Sequence, residues 1–270
     1  MSHAHDNSSG SPIARAFVDA RRTGRALTAY PGAAPGSLEA AYAIQDDAVA
    51  AWPDRIAGWK LGRINAPHDT RFGAGRLAGP IFSRAVWTAG TVPTRFNVID
   101  GGFAAVEAEY VLEVGETAPD RDDWTAVGAA SLVARVFTGV EIAGSPFAGI
   151  NDHGPAVTAS DFGNNAGLIL GAEIGGWRDR LPGLTCAMSI DGAVVGRGGA
   201  ASIPGGPLDS LAFLLNLLHR RGRRLEAGQL VSTGAATGVH DIVAGQRAVA
   251  DFGEDGCIEC LAVAATGEAM

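Results

Sequence analysis

Val106-Glu-Ala-Glu-Tyr-Val-Leu-Glu-Val114 alternates with a period of two. Val106, Ala108, Tyr110, Leu112 and Val114 fall on one side of a strand. Glu107, Glu109 and Glu113 fall on the other, with Val111 among them. A helix would carry Glu107 and Glu109 to nearly opposite sides. A strand sets them side by side, where two anions repel unless a cation or a proton joins them. A third acid, Glu141, lies in the apolar run Val136-Phe-Thr-Gly-Val-Glu-Ile142. A carboxylate between Val140 and Ile142 is costly to bury alone. Three carboxylates with no Cys or paired His nearby suit a hard cation, Mg²⁺ or Mn²⁺. The same residues also describe a solvated strand face plus one stray acid, and spacing alone does not choose between the two.

Outward from this strand, short strand patterns recur between glycines from residue 56 on. They cover 56–62, 104–114, 135–142, 166–172, 184–190, 193–197, 229–233, 246–252 and 257–264. Asp191-Gly192 reads as a hairpin turn and Glu254-Asp-Gly256 as another. The chain's 38 glycines and 13 prolines imply many tight turns and a strand-rich body. One helix interrupts it. Pro207 occupies the first turn, Leu208, Leu211, Ala212, Leu215 and Leu218 follow at helical spacing, and Gly222 ends it. Before residue 56 the patterns are helical, over 12–27 and over 37–52 with Ser37 as N-cap. The expected organisation is a loose polar tail (1–10), a helical N-terminal segment (11–55) and one catalytic β-rich unit (56–270).

A chain of 270 residues with 47% hydrophobic and 19% charged residues is globular. Acids exceed bases, 29 to 21, which argues against a nucleic-acid surface. An anionic small molecule stays open, because a metal reverses the local field of an acidic site. No apolar run is long enough to span a membrane. The polar start lacks the apolar core of a secretory signal, so a cytoplasmic protein is expected. Cys257 and Cys260 form one C-x-x-C without a second ligand pair, in a segment that reads as a strand. With Cys186 they are read as small buried residues rather than zinc ligands or a redox pair.

Eight separated segments carry a resemblance. They are Ala41-Tyr-Ala-Ile-Gln45, Gly58-Trp-Lys-Leu-Gly62, Val106-Glu-Ala-Glu109 and Val140-Glu-Ile-Ala-Gly-Ser145. They continue with Asn164-Asn-Ala166, Gly196-Arg-Gly198, Gly206-Pro-Leu208 and Gln229-Leu-Val-Ser-Thr-Gly234. In this order the chain resembles the 2-keto-4-pentenoate hydratase and 2-oxo-enedioate decarboxylase group of the fumarylacetoacetate hydrolase superfamily. The resemblance implies an α+β fold: a mixed β-roll or barrel-like sandwich with a small helical N-terminal part. It implies Glu107, Glu109 and Glu141 as the ligands of Mg²⁺ or Mn²⁺. Two segments depart from the group. Arg63-Ile-Asn-Ala-Pro-His-Asp-Thr-Arg-Phe-Gly73 stands where relatives carry a Leu-Thr-Ser-Lys type segment. Gly79-Pro-Ile-Phe82 leads into Ser83-Arg84, where relatives often have an acid.

The chemistry follows from the resemblance. A 2-oxo acid would chelate the cation, which polarises the 2-oxo group and favours an enolate. Hydration, decarboxylation and C–C hydrolysis all share that enolate, so the ligands do not choose among them. Lys60, in the apolar run Ile56-Ala-Gly-Trp-Lys-Leu61, is read two ways. Its amine faces the substrate as an anion holder or as a base of lowered pKa, or it reaches water over a packed stem. His68 beside Asp69 is the other acid/base candidate, or a surface histidine. Asn164, Asn165 and Thr233 either bond substrate oxygens or satisfy turns. Arg197 reads as a strand-end charge. The expected protein is a metal-dependent hydratase adding water to a short 2-hydroxy-dienoate or 2-oxo-enoate. It works as a homo-oligomer, dimer or larger, on a small-molecule 2-oxo acid, without nucleic acid or membrane. The rivals are a 2-oxo-enedioate decarboxylase, an acylpyruvate C–C hydrolase and a non-catalytic binding protein.

Overall fold

The computed structural model describes residues 10–266. The tail expected over 1–10 therefore lies, but for Gly10, outside the described residues. The chain begins with α1 (Pro12–Thr23), α2 (Leu38–Ala51), β1 (Ile56–Arg63), α3 (His68–Phe72), β2 (Arg76–Phe82), β3 (Val86–Thr88) and β4 (Thr94–Val98). It continues with β5 (Phe103–Val114), α4 (Ala126–Ala130), β6 (Val133–Ser145), α5 (Pro155–Ser160), β7 (Asn165–Glu173) and α6 (Trp177–Arg180). It closes with β8 (Thr185–Ile190), β9 (Ala193–Gly199), α7 (Gly206–Arg220), β10 (Leu230–Ser232), β11 (His240–Asp241), β12 (Arg247–Asp251) and β13 (Cys257–Ala264).

The strands form two mixed sheets, the α+β roll expected from the sequence. One runs in the order β2-β1-β10-β5-β6-β7-β3, with β11 also pairing β5. The other runs β4-β13-β12-β8-β9. The pairs β1–β10, β3–β7 and β4–β13 are parallel and the rest antiparallel. A common core lies between the sheets. Tyr110, Leu112, Ile142 and Ile169 of the first meet Met188, Ala248, Ile258 and Cys260 of the second. Leu211, Leu214, Leu215 and Leu218 of α7 and Ala41 and Tyr42 of α2 belong to the same core. Ala14 and Val18 of α1 and Ala48 of α2 cluster with Phe82 and Phe162, whose rings meet edge to face at 4.9 Å.

Local chemistry explains where the elements differ from the sequence reading. Helix α1 ends at Thr23 rather than at 27. Gly24 turns left-handed at φ 62° and its N–H closes on the carbonyls of Ala20 and Arg21. Ser37 does cap α2, accepting from Ala40 N–H. Strand β2 is not among the strands expected from the sequence, and it contains Gly79-Pro80. It is the first strand of its sheet, and an edge is where a proline is tolerated. Cys186 and Cys260 are buried, but Cys257 is exposed, because positions three apart on β13 face opposite ways.

Candidate metal centre and the pocket above it

Antiparallel pairing of β5 and β6 sets Glu107 directly across from Glu141. Glu109, two residues along β5, points to the same face. One oxygen from each of the three carboxylates lies within 4.8 Å of the others. Glu107 is 4% exposed, and Glu109 and Glu141 are fully buried. The solvated strand face therefore does not form; the three acids converge in the interior.

Neighbouring strands bring the support. β10 lies between β1 and β5, with Lys60 opposite Ser232 and Ser232 opposite Val111. Ser232 Oγ donates to Glu109 Oε2 at 2.6 Å, and Gly234 N–H donates to the same oxygen at 2.8 Å. Lys60 is buried. Its Nζ lies 3.2 Å from Glu141 Oε1 and donates to Asn164 Oδ1 at 3.0 Å. Asn165 Nδ2 donates to Glu141 Oε1 at 3.0 Å. Glu109 Oε1 and Glu141 Oε2 are buried with no hydrogen-bond partner.

Three carboxylates thus face one ammonium. Burial, and next Glu141, pushes the Glu107 carboxyl up to about 8, while Lys60 opposes the rise. Glu109 is driven well above its ordinary range by burial, Glu141 and Glu107, despite the bonds from Ser232 and Gly234. Burial alone would lower the Lys60 pKa. Attraction to Glu141, Glu107 and Glu109 outweighs it and holds the pKa above its ordinary value. The direction is opposite to the lowering that burial alone would bring, and the neighbouring acids are its cause. Crowded, partly unpartnered carboxylate oxygens are the donor set of a hard divalent cation, which would replace the protons that burial otherwise demands.

A cavity of about 670 Å³ opens above the cluster, lined in part by Lys60, Glu107, Asn164, Thr233 and His68. Asn164 of its wall ends a left-handed run, Phe162, Gly163 and Asn164, with φ of 51°, 62° and 56°. β2 closes on that run without room for a side chain, since a Cβ at Gly79 would lie 1.9 Å from the Phe162 carbonyl oxygen. This turn delivers Asn164 to Lys60 and Asn165 to Glu141. Asn164 Nδ2 also donates to Asn151 Oδ1 at 3.0 Å. His68 stands at the start of α3 with Nδ1 buried and unpartnered. Asp69 does not orient it; its carboxylate accepts from Thr70 N–H at 2.6 Å. Thr233 Oγ1 donates to the Tyr110 carbonyl at 2.7 Å. Ser232, Gly234 and Asn151 escaped the sequence reading. Ser232 was within reach, as an inward position of a quoted strand segment; Asn151, in a loop, gave no signal.

No family model matches the chain. It is similar to a 2-keto-4-pentenoate hydratase of Burkholderia vietnamiensis strain G4, 29% identical over 239 residues that span 85% of this chain and 88% of the relative. It is 28% identical over 204 residues to a 4-oxalocrotonate decarboxylase of Pseudomonas putida, covering 72% of each. Among solved structures, the 4-oxalocrotonate decarboxylase from Pseudomonas putida G7 complexed with magnesium and adipate has the same fold. The TM-score is 0.78 at 19% identity, over 93% of this chain and 96% of that one.

Proposed function

We infer that this chain, a homologue of the 2-keto-4-pentenoate hydratases and 4-oxalocrotonate decarboxylases with the fold of the fumarylacetoacetate hydrolase superfamily, is a metal-dependent hydro-lyase acting on a short 2-hydroxy-dienoate or 2-oxo-enoate. One observation carries the reading. Three buried carboxylates converge beside a buried ammonium at the foot of a cavity, with an oxygen of Glu109 and one of Glu141 left without a partner.

Glu107, Glu109 and Glu141 are assigned as ligands of Mg²⁺, with Mn²⁺ suited to the same oxygens. When bound, the cation supplies the positive charge that polarises a 2-oxo group. The remaining work falls to the chain. A lysine ammonium has three N–H donors. Glu141 and Asn164 take two from Lys60, leaving the third for an oxygen of the substrate. His68, which lines the cavity, is assigned the proton transfers: one proton leaves the enol oxygen and one arrives at C5. Water then adds with its hydroxyl at C4 and its hydrogen at C3. Asn164 and Asn165 hold Lys60 and Glu141 in place, and Thr233 forms part of the wall. We further propose residues 56–270 as one catalytic unit supported by the helices of 11–55. The exposed apolar side chains Val194 and Val195 on edge strand β9 support a homo-oligomer. A monomeric mass by light scattering at micromolar protein would contradict that assembly.

The test is to give metal-stripped protein Mg²⁺ and 2-hydroxypenta-2,4-dienoate. The dienol absorbance should fall only with the metal present, and 4-hydroxy-2-oxopentanoate should form. Release of CO₂ from a 2-oxo-enedioate, without hydration of the dienoate, would establish the second reading, a decarboxylase, which the 28%-identical relative favours. No turnover of any 2-oxo acid at saturating Mg²⁺ would refute both.

A further inference from the structure

A second cavity, of about 540 Å³, backs onto the segment that carries Asn164 and Asn165. It shares no lining residue with the cavity above the carboxylates: Asn164 lines the first, and its neighbour Asn165 lines the second. Its walls come from β3, an end strand of one sheet, β4, an end strand of the other, and the C-terminal ends of α1 and α2. The volume is in the range of small-molecule sites.

Its charge runs against that of the chain. The sequence carries a formal charge of −8, yet the charged side chains here are Arg21, Arg22, Arg84 and Arg95 against one acid, Asp54. Arg21 is taken by Asp161. The Asp54 carboxylate accepts from Ser83 Oγ at 2.6 Å and from the N–H groups of Arg84 and Arg55 at 2.8 Å. Arg22, Arg84 and Arg95 have no ion pair or side-chain hydrogen bond among the described residues. A cation in the last turn of α1 suits the helix dipole, which accounts for Arg22. It does not account for Arg84 and Arg95, which reach the same cavity from other elements. Strand alternation agrees with the placement of Arg95: it lines the cavity, while Phe96 and Val98 of β4 turn into the core.

Two half-buried tryptophans, Trp52 and Trp87, line the same space. Trp52 is backed by Phe82 and Phe162, with ring centroids 5.5 and 5.7 Å away. Trp87 lies against bare backbone, since a Cβ at Gly167 would come within 2.4 Å of its Cζ3. Indoles held from behind offer a flat ring a surface to pack on, and guanidiniums offer paired donors to an oxyanion.

We propose that this second cavity is an effector site for an aromatic oxyanion, a flat ring bearing a carboxylate or sulfonate, held by Arg22, Arg84 and Arg95 against Trp52 and Trp87. Its occupant adjoins Asn165, whose Nδ2 donates to Glu141 Oε1. A negative charge on this side of Asn165 favours a cation on the other. The binding stands on the residues of the second cavity; the coupling rests on Glu141 as a metal ligand.

Naphthalene-2-sulfonate is the probe, because a sulfonate is a poor ligand for Mg²⁺ and does not mimic a 2-oxo acid. Titration calorimetry on the full-length, Mg²⁺-loaded protein at low salt should show it binding about tenfold more tightly than naphthalene-2-methanol, which lacks the charge, or sulfate, which lacks the ring. Excess 2-oxohexanoate should not displace it. Arg84→Gln and Arg95→Gln should each weaken it about threefold. Arg220→Gln, which removes an exposed charge outside both cavities, should not. The probe should raise Mg²⁺ affinity about twofold to fivefold, and Mg²⁺ should tighten the probe by the same factor. Absence of binding, displacement by 2-oxohexanoate, or full affinity in the Arg84→Gln, Arg95→Gln double variant would overturn the site. Binding that leaves Mg²⁺ affinity unchanged would overturn its effector role. A protein that bound the probe but no Mg²⁺ would overturn that role together with the metal reading.

Discussion

An ammonium among three carboxylates is not described by its burial alone. Burial by itself would discharge Lys60, but the acids around it keep the proton on. That charge is what Lys60→Met removes, while methionine keeps the packing of the stem. With kcat measured at saturating Mg²⁺, the expected loss is about 10²–10³, the scale of one donor aimed at developing negative charge. A drop of less than about threefold, small beside that range, would return Lys60 to a structural role and leave His68 as the acid/base candidate. Ser232→Ala tests a different residue of the same cluster. It strips one of two donors from Glu109 Oε2 and should weaken Mg²⁺ binding by about 10–100-fold, as loss of a ligand's partner does. Unchanged Mg²⁺ affinity would mean that Glu109 is not a ligand or needs no holding. At this scale residue types were legible: a lysine in an apolar run, and two glutamates at strand spacing. It concealed charge states and partners, because Glu141, Asn164 and Ser232 reach Lys60 and Glu109 from strands and turns far away in the chain.

Elements were legible in proportion to their regularity. β5 is long and alternates, so its range and the shared face of Glu107 and Glu109 could be read; β6, read as an apolar run over 135–142, extends from Val133 to Ser145. β3 and β11 are too short to show a period, and the left-handed run at 162–164 has no pattern. The tie between α1 and that run was invisible for the same reason. Arg21 of α1 is buried and grips Asp161 through Nε at 2.7 Å. It also donates to the carbonyls of Asn165 and Gly144 at 3.0 and 2.8 Å, while Ser145 Oγ donates to Asp161 at 2.6 Å. The helix thereby fixes the segment that carries Asn164 and Asn165. Arg21→Met leaves Asp161 charged and buried, and should lower stability by about 3–5 kcal/mol in urea unfolding. Arg21→Met with Asp161→Leu removes both charges and should recover much of that loss, because the cost lies mainly in the stranded partner. If the double variant were no more stable than the single one, the helix's grip would owe more to the bonds to Asn165 and Gly144 than to the ion pair.

Across the whole molecule, the four strands that build the site are consecutive neighbours in one sheet, β1-β10-β5-β6. Charge left unbalanced there acts on the central strands of the fold. In the metal-free chain the sign is set by Glu107 and Glu109, whose carboxyls are both raised by burial and by neighbouring acids. A raised carboxyl holds its proton more tightly folded than unfolded. Its contribution to stability is complete below the ordinary value of 4.5 and is lost as the pH climbs through about 8 for Glu107. A divalent cation reverses the balance, since it binds the deprotonated carboxylates and only in the folded state. Mg²⁺ should therefore raise the unfolding temperature, and the rise should be larger at pH 8 than at pH 6. Chelation by EDTA should undo it, and Glu107→Gln, which removes a ligand charge, should shrink it at both values. Thermal unfolding at pH 6, 7 and 8, with Mg²⁺ and with EDTA, measures all of this at once. A Mg²⁺ effect that is absent, or that falls as the pH rises, would mean that these carboxylates do not meet on a metal.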